Sequence, residues 1–259
     1  GQDDVFIDQD NNLAVTQVTS ANNDCDSTGP NEVECNNPNA GNDLQEVTQE
    51  NIATGDGFAS IEQINDATID QNADLLNSCD ESGAGINSAA CNNFDPISFN
   101  NVIGPVSQSN DANGEDDSAV TQSNVIDVSQ NLEGTNDCDE ANTGDNFADC
   151  STSVFNRIES ITQENDILSI TGTDTADQSN IFTVEQNLVA TNDCDESGLG
   201  NNDAVCTITA SNDIGEISQT NDDDESNSLT ITQNGQYVND CDDTTSADND
   251  ANCSIDHHL

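Results

Sequence analysis

The sequence predicts an all-β fold in which tandem repeats stack as a β-solenoid-like or cross-β array with disulfide-closed loops. Three observations carry this expectation. An alternating cassette Asn-x-φ-x-φ-x-Gln, with φ apolar, recurs five times. A cysteine follows each copy, eight residues beyond its Gln. Successive copies lie roughly 50 residues apart, a spacing typical of repeat architectures. Tandem small β-sandwich units are the alternative, because periodicity does not say whether a repeat forms one rung, two rungs or a sandwich.

The cassettes are Asn11-Leu13-Val15-Gln17, Asn65-Ala67-Ile69-Gln71, Asn124-Ile126-Val128-Gln130, Asn180-Phe182-Val184-Gln186 and Asn227-Leu229-Ile231-Gln233. Side chains alternate across a strand, so the Asn, both apolar residues and the Gln of each copy share one face. The opposite face (Asn12-Ala14-Thr16, Asp66-Thr68-Asp70 and their counterparts) is mostly polar and faces solvent. β-Branched residues dominate the apolar position nearest the Gln, which favours strand over helix. Another Gln precedes four cassettes (Gln9, Gln63, Gln122 and Gln178), with Glu225 in the fifth.

A second element of different spacing reads Leu44-Val47-Gln49-Asn51, Ile103-Val106-Gln108-Asn110, Ile158-Ile161-Gln163-Asn165 and Ile214-Ile217-Gln219-Asn221. It precedes cassettes two to five and not the first. The chain divides on this reading into one array of approximate units 1–35, 36–91, 92–150, 151–206 and 207–259, with the atypical ends expected of a stack.

An amide on an inner face costs about 1–3 kcal/mol if it lacks a partner. Stacking copies at strand spacing supplies one, since each Gln or Asn can donate to the same residue of the next rung. Asn11, Gln17, Asn65, Gln71, Asn124, Gln130, Asn180, Gln186, Asn227 and Gln233 are therefore the expected ladder residues. The competing reading puts these amides at edge strands facing water.

Each cysteine loop opens on an acidic triplet: Asp24-Cys25-Asp26, Ser78-Cys79-Asp80, Asp137-Cys138-Asp139, Asp193-Cys194-Asp195 and Asp240-Cys241-Asp242. It closes on Cys35, Cys91, Cys150, Cys206 or Cys253, ten residues on in the first copy and twelve in the others. Regular spacing favours pairing within each loop, each bond contributing roughly 3 kcal/mol in the chain-entropy model. Pairing between neighbouring repeats stays open, as connectivity is not readable from sequence. Zinc is disfavoured, with neither CxxC nor a nearby His. Asp24, Asp26, Asp80, Asp137, Asp139, Asp193, Asp195, Asp240 and Asp242 present hard oxygen ligands beside turn residues, the chemistry calcium prefers. The bland reading is that these acids only solubilise the turns.

Composition narrows function. One basic side chain, Arg157, faces 52 carboxylates, for a formal charge of −51. Phosphate-backbone recognition needs the Lys and Arg that are missing, so nucleic acid is excluded as a partner. The same field repels anionic membrane surfaces and the chain itself, which calls for screening salt or bound cations. No apolar run reaches transmembrane length, so no membrane insertion is expected. Ten cysteines point to an oxidising compartment. The chain reads as a secreted, extracellular or cell-surface protein whose signal peptide has been removed. Its two His, His257 and His258, stand at the C-terminal end, and no phosphate-cradling loop or positioned base accompanies the acids, so it is not expected to be an enzyme.

The string Asn-x-φ-x-[Val/Ile]-x-Gln with a preceding Gln, as in Gln122-Ser123-Asn124-Val125-Ile126-Asp127-Val128-Ser129-Gln130, is similar to the second half of the curlin repeat of bacterial curli fibres. The likeness covers five segments of about ten residues. It departs from curlin in the Gln-to-Asn distance, the missing internal Gly and the added acidic cysteine loops. The resemblance implies an extracellular, self-assembling, amyloid-like or β-solenoid fibre subunit. The expected function is therefore a structural filament of a cell surface or biofilm matrix, with itself and other matrix components as partners and calcium as its cation. A monomeric calcium-dependent adhesin or surface-layer module is the alternative.

Overall fold

Period-2 alternation over long stretches makes strands, and repetition makes them pair with their own copies. A computed structural model describes residues 5–28, 32–34, 40–55, 59–83, 87–92, 100–114, 118–142, 146–169, 175–198, 202–222, 226–241, 243–245 and 249–258. The described residues are all-β, without a helix, and their strands form three parallel sheets. The front sheet holds Val5–Asp24, Ala59–Ser78, Ala119–Asp137, Thr175–Asp193 and Ser226–Asp240 in that order. A narrow corner sheet holds Ser27–Thr28, Glu81–Gly83, Glu140–Asn142, Glu196–Gly198 and Asp243–Thr245. The back sheet has long strands Val47–Gly55, Val106–Gly114, Asn146–Ser169, Asn202–Asn221 and Asn249–His258, with shorter pieces in the first two turns.

The chain thus winds as five coils of a β-solenoid, each passing front, corner and back before rising about 4.8 Å to the next. A coil joins the cassette and cysteine loop of one unit to the second element at the start of the next. Residues at equivalent repeat positions stand above one another: Asn11, Asn65, Asn124, Asn180 and Asn227 form one column, and Gln17, Gln71, Gln130, Gln186 and Gln233 another. On the back, Gln49, Gln108, Gln163 and Gln219 align, as do Asn51, Asn110, Asn165 and Asn221. Pro105, which has no N–H to give, interrupts the back strand of the second coil between Ile103 and Val106. Stacking persists across that break through Val47 N–H to Pro105 O (2.9 Å) and Gly104 N–H to Leu44 O (2.7 Å).

Front and back sheets close on a core divided into compartments. One gathers Ile61, Val120, Ala53 and Ala112. The next holds Ile69, Ile126, Val128, Phe182 and Val184 from the front against Ile103, Val106, Ile158 and Ile161 from the back. A third packs Leu75, Leu132 and Leu188 against Val154 and Ile208. The fourth is a stack of cysteines. Phe182, Ile126 and Ile158 have no exposed surface; burying a side chain of this size contributes about 1.5–3 kcal/mol. Gly134 makes the third compartment fit, because a Cβ there would lie 2.8 Å from Val154 Cγ1. Among the described residues no helix is long and apolar enough to cross a membrane.

Candidate functional site

Amide layers separate these compartments, and every predicted cassette Asn and Gln lies in one. Gln63, Asn65, Gln71, Gln122, Asn124, Gln130, Gln178, Asn180 and Gln186 are fully buried, so they are not water-facing edge residues. In the cassette Gln column, Gln71 donates to Gln17 Oε1 (2.8 Å), Gln130 to Gln71 (2.9 Å), Gln186 to Gln130 (2.8 Å) and Gln233 to Gln186 (2.7 Å). The other N–H crosses the core: Gln71 donates to Val102 O (2.8 Å) and Gln130 to Arg157 O (3.2 Å). Each buried amide therefore joins coil to coil and sheet to sheet, which meets its desolvation cost.

The cassette asparagines run the other way. Asn11 donates to Asn65 Oδ1, Asn65 to Asn124 and Asn124 to Asn180, each at 3.0 Å, and Asn180 to Asn227 at 3.1 Å. They also interleave with the back column. Asn51 donates to Asn65 (3.1 Å), Asn65 to Asn110 (3.0 Å), Asn110 to Asn124 (2.9 Å), Asn124 to Asn165 (3.0 Å) and Asn165 to Asn180 (3.0 Å). The Gln ladders thus donate toward the first coil and the buried cassette Asn ladder toward the fifth, so these two sets of amide dipoles oppose each other.

This polarity gives the stack two chemically different ends. At the first coil, Gln9 and Gln17 each place one N–H on the back sheet, at Ile52 O and Asp43 O (both 3.0 Å). The second N–H, which in interior coils reaches the preceding Gln, faces outward, as does Asn11 Oδ1. At the fifth coil the outward groups are reversed: Gln233 presents Oε1 and Asn227 an N–H. Two core-column residues surface there as well, Leu229 (49% exposed) and Ile231 (45%).

The corner carries the disulfides and acids. Cys138–Cys150, Cys194–Cys206 and Cys241–Cys253 pair within their loops. Cys25 and Cys79 are also disulfide-bonded; Cys35 and the side chain of Cys91 lie outside the described residues. Stacking brings acids of successive loops together. Carboxylate oxygens of Asp80, Asp137 and Asp139 lie within 4.8 Å of one another, and so do those of Asp139, Asp193 and Asp195. These clusters can hold a metal ion. Asp24 and Asp240 occupy the same column as Asp137 and Asp193 at its two ends, Asp26 stands beside Asp24, and Asp242 lies outside the described residues. Partial burial, then the charges of Asp137, Asp80, Asp195 and Asp193, push Asp139 up to about 6. Burial, then Asp80 and Asp195, raise Asp137. Asp24 raises Asp26.

A second acidic column, Asp111, Asp166 and Asp222, follows the back sheet. A hydrogen bond with Asp222, then burial and the charges of Asp222, Asp111 and Glu164, hold Asp166 up to about 6. Arg157 lies 4.0 Å from Asp213 with both side chains largely exposed, a pair of little energetic weight.

Three further ladders escaped the sequence reading. Asn42, Asn101, Asn156 and Asn212 form one on the back, with links of 2.9, 3.1 and 2.9 Å. Asn23, Asn77, Asn136, Asn192 and Asn239 line up between the aliphatic core and the cysteine stack. On the outer front face, Asn234 donates to Asn187 (2.8 Å), Asn187 to Asn131 (2.8 Å) and Asn131 to Asn72 (2.9 Å). Constant offsets were the available signal: two residues before the first Cys for one column, nine before the back-sheet Asn for another. Comparison with known protein families, curated proteins and solved structures finds no match.

Proposed function

We propose that this protein is a secreted structural subunit that polymerises head to tail into an extracellular filament of a cell surface or matrix, in the manner its curlin-like cassettes suggest. The polarity of the amide ladders carries the reading. Seating a fifth coil on the first coil of another copy puts the Gln17 N–H opposite Gln233 Oε1 and the Asn227 N–H opposite Asn11 Oδ1. The same contact lays Leu229 and Ile231 over Leu13 and Val15, in columns that are already apolar. Joining two like ends runs the meeting strands antiparallel, so no Gln, Asn or apolar column of one copy continues into the other. An unlike-end contact of this kind does not close on itself and propagates.

Self-repulsion at −51 opposes such growth unless cations intervene. Calcium, held by the Asp80/Asp137/Asp139 and Asp139/Asp193/Asp195 clusters, supplies that neutralisation with the oxygen ligands it prefers. The disulfides suit the oxidising conditions outside a cell. The test is growth of the purified, oxidised chain across salt and calcium concentrations, followed by sedimentation and electron microscopy. Wild type is expected to form unbranched filaments, and Leu13→Asp to stay folded and monomeric. Wild type that remains monomeric throughout refutes the reading, as does Leu13→Asp polymerising like wild type.

A further inference from the structure

The outer front face carries a groove that an inner ladder shapes. Asn42, Asn101, Asn156 and Asn212 each give an N–H to a front-strand carbonyl: Asn72 O (2.9 Å), Asn131 O (2.9 Å), Asn187 O (3.0 Å) and Asn234 O (3.2 Å). These bonds tie the front sheet to the back along one line down the stack. Beside that line the outer face is hollowed into a groove of about 420 Å³, which crosses the first four coils and runs along the axis. One wall is the outer asparagine ladder, Asn72, Asn131 and Asn187. The other is the column two residues further on, Ser20, Asp74, Glu133 and Val189. Methyl groups stand at either end, from Val18 (72% exposed) in the first coil and half-buried Val189 in the fourth.

The chemistry of the walls is one-sided. Asn131 spends its N–H groups on Asn72 Oδ1 (2.9 Å) and Ser129 Oγ (3.2 Å), and Asn187 spends its own on Asn131 Oδ1 (2.8 Å) and Glu185 Oε1 (3.0 Å). What these amides still offer the groove is a second lone pair on each Oδ1. Opposite them, Asp74 and Glu133 are exposed and stack directly on one another, about 4.8 Å apart along the axis. Like charges so placed are destabilising. No cationic side chain relieves them, since the one Arg or Lys of the chain, Arg157, lies on the back sheet.

An occupant must therefore donate hydrogen bonds, repeat its positive charge along its length and lay apolar surface on Val18 and Val189. Calcium does not meet this, because it gathers about six to eight oxygens around one point, and these two carboxylates are strung along a line. A linear aliphatic polyamine does. Its ammonium groups only donate, and a three-methylene spacer sets successive nitrogens about 5 Å apart, close to the rise of one coil.

We propose that this groove is a binding site for a linear polyamine, which lies along the stack axis with successive ammonium groups on Asp74 and Glu133 and its methylenes against Val18 and Val189. The site belongs to a single copy, so it stands whether or not copies polymerise, and the acidic corner plays no part in it.

The probe is norspermidine, a triamine with two three-methylene spacers, titrated calorimetrically into oxidised wild type in about 0.15 M salt, which screens exposed charges beyond about 8 Å. One dominant site per chain is expected, and the side-chain amide NMR signals of Asn131 and Asn187 should shift on binding. Glu133→Gln should weaken binding about tenfold, the scale of one charge-assisted contact. Glu159→Gln, which removes an exposed carboxylate from the back sheet, should change it by less than about twofold. Both variants should keep the circular dichroism of wild type, and calcium at matched ionic strength should displace little of the triamine. Equal losses in the two variants, uptake of many equivalent triamines without a dominant site, or displacement by calcium would show counterion binding only and overturn the proposal.

Discussion

Replacing Gln130 by Leu removes one amide from the centre of a five-membered ladder while nearly conserving volume. Gln130 accepts from Gln186 at 2.8 Å and donates to Gln71 Oε1 at 2.9 Å, Asn101 O at 2.9 Å and Arg157 O at 3.2 Å. Leu strands the Gln186 N–H and Gln71 Oε1 at full burial, at about 1–3 kcal/mol for each. Added apolar burial recovers on the order of 1 kcal/mol. The net loss is therefore about 3 kcal/mol, read as a shift in urea midpoint with disulfides intact. Gln233→Leu, at the partly buried end of the same ladder, should cost about 1 kcal/mol because it strands a single buried partner. Adding Gln186→Leu to Gln130→Leu should cost less than the sum of the two, since the pair shares a bond. A Gln130→Leu loss within 0.5 kcal/mol of zero, or strict additivity, would refute the claim that amide ladders hold the coils together.

The acidic corner makes stability depend on pH in an unusual sense. Asp139 and Asp166 have folded-state values near 6, above the ordinary carboxylate value, so their protonation favours the fold. Thermal stability in chelator should rise as pH falls from 7 toward 5, and Asp139→Asn should flatten part of that rise; a melting temperature that falls over this interval contradicts the assignment. Calcium at pH 7 should raise the melting temperature much as acid does, and by less in Asp139→Asn; titration calorimetry showing no calcium uptake would leave the clusters without a cation. Replacing Cys138 and Cys150 by Ser should cost roughly 3 kcal/mol in oxidised protein, and wild type should lose a comparable amount for each bond on reduction. Phe182→Ala opens a cavity in the largest fully buried site and should cost about 3–5 kcal/mol, checked by urea denaturation.

The alternation in Asn124-Ile126-Val128-Gln130 was enough to place these residues on the core side, because one face of a strand must be buried and only this one is apolar. Its recurrence at constant offset from a cysteine was enough to predict stacking. The phase of a coil was less legible. Leu44-Val47-Gln49-Asn51 precedes the second cassette in sequence yet closes the first coil, a relation set by chain path and not by pattern. Asn42 and Asn77 look like turn residues when read locally, since Asn favours turns as readily as ladders. Only the burial of their columns distinguishes the two. For the same reason the acids at each Cys were visible as candidates, but the clusters join Asp139 to Asp80 and Asp195 of neighbouring coils. Ligand distance there comes from stacking, not from the spacing within one loop.

Electron cryomicroscopy of assembled protein tests the account most directly. Filaments should show strands perpendicular to the axis at about 4.8 Å and a subunit repeat near 24 Å, five coils per molecule, with every subunit pointing the same way. Subunits alternating in direction, strands running along the axis, or monomers alone at every salt and calcium concentration would contradict it.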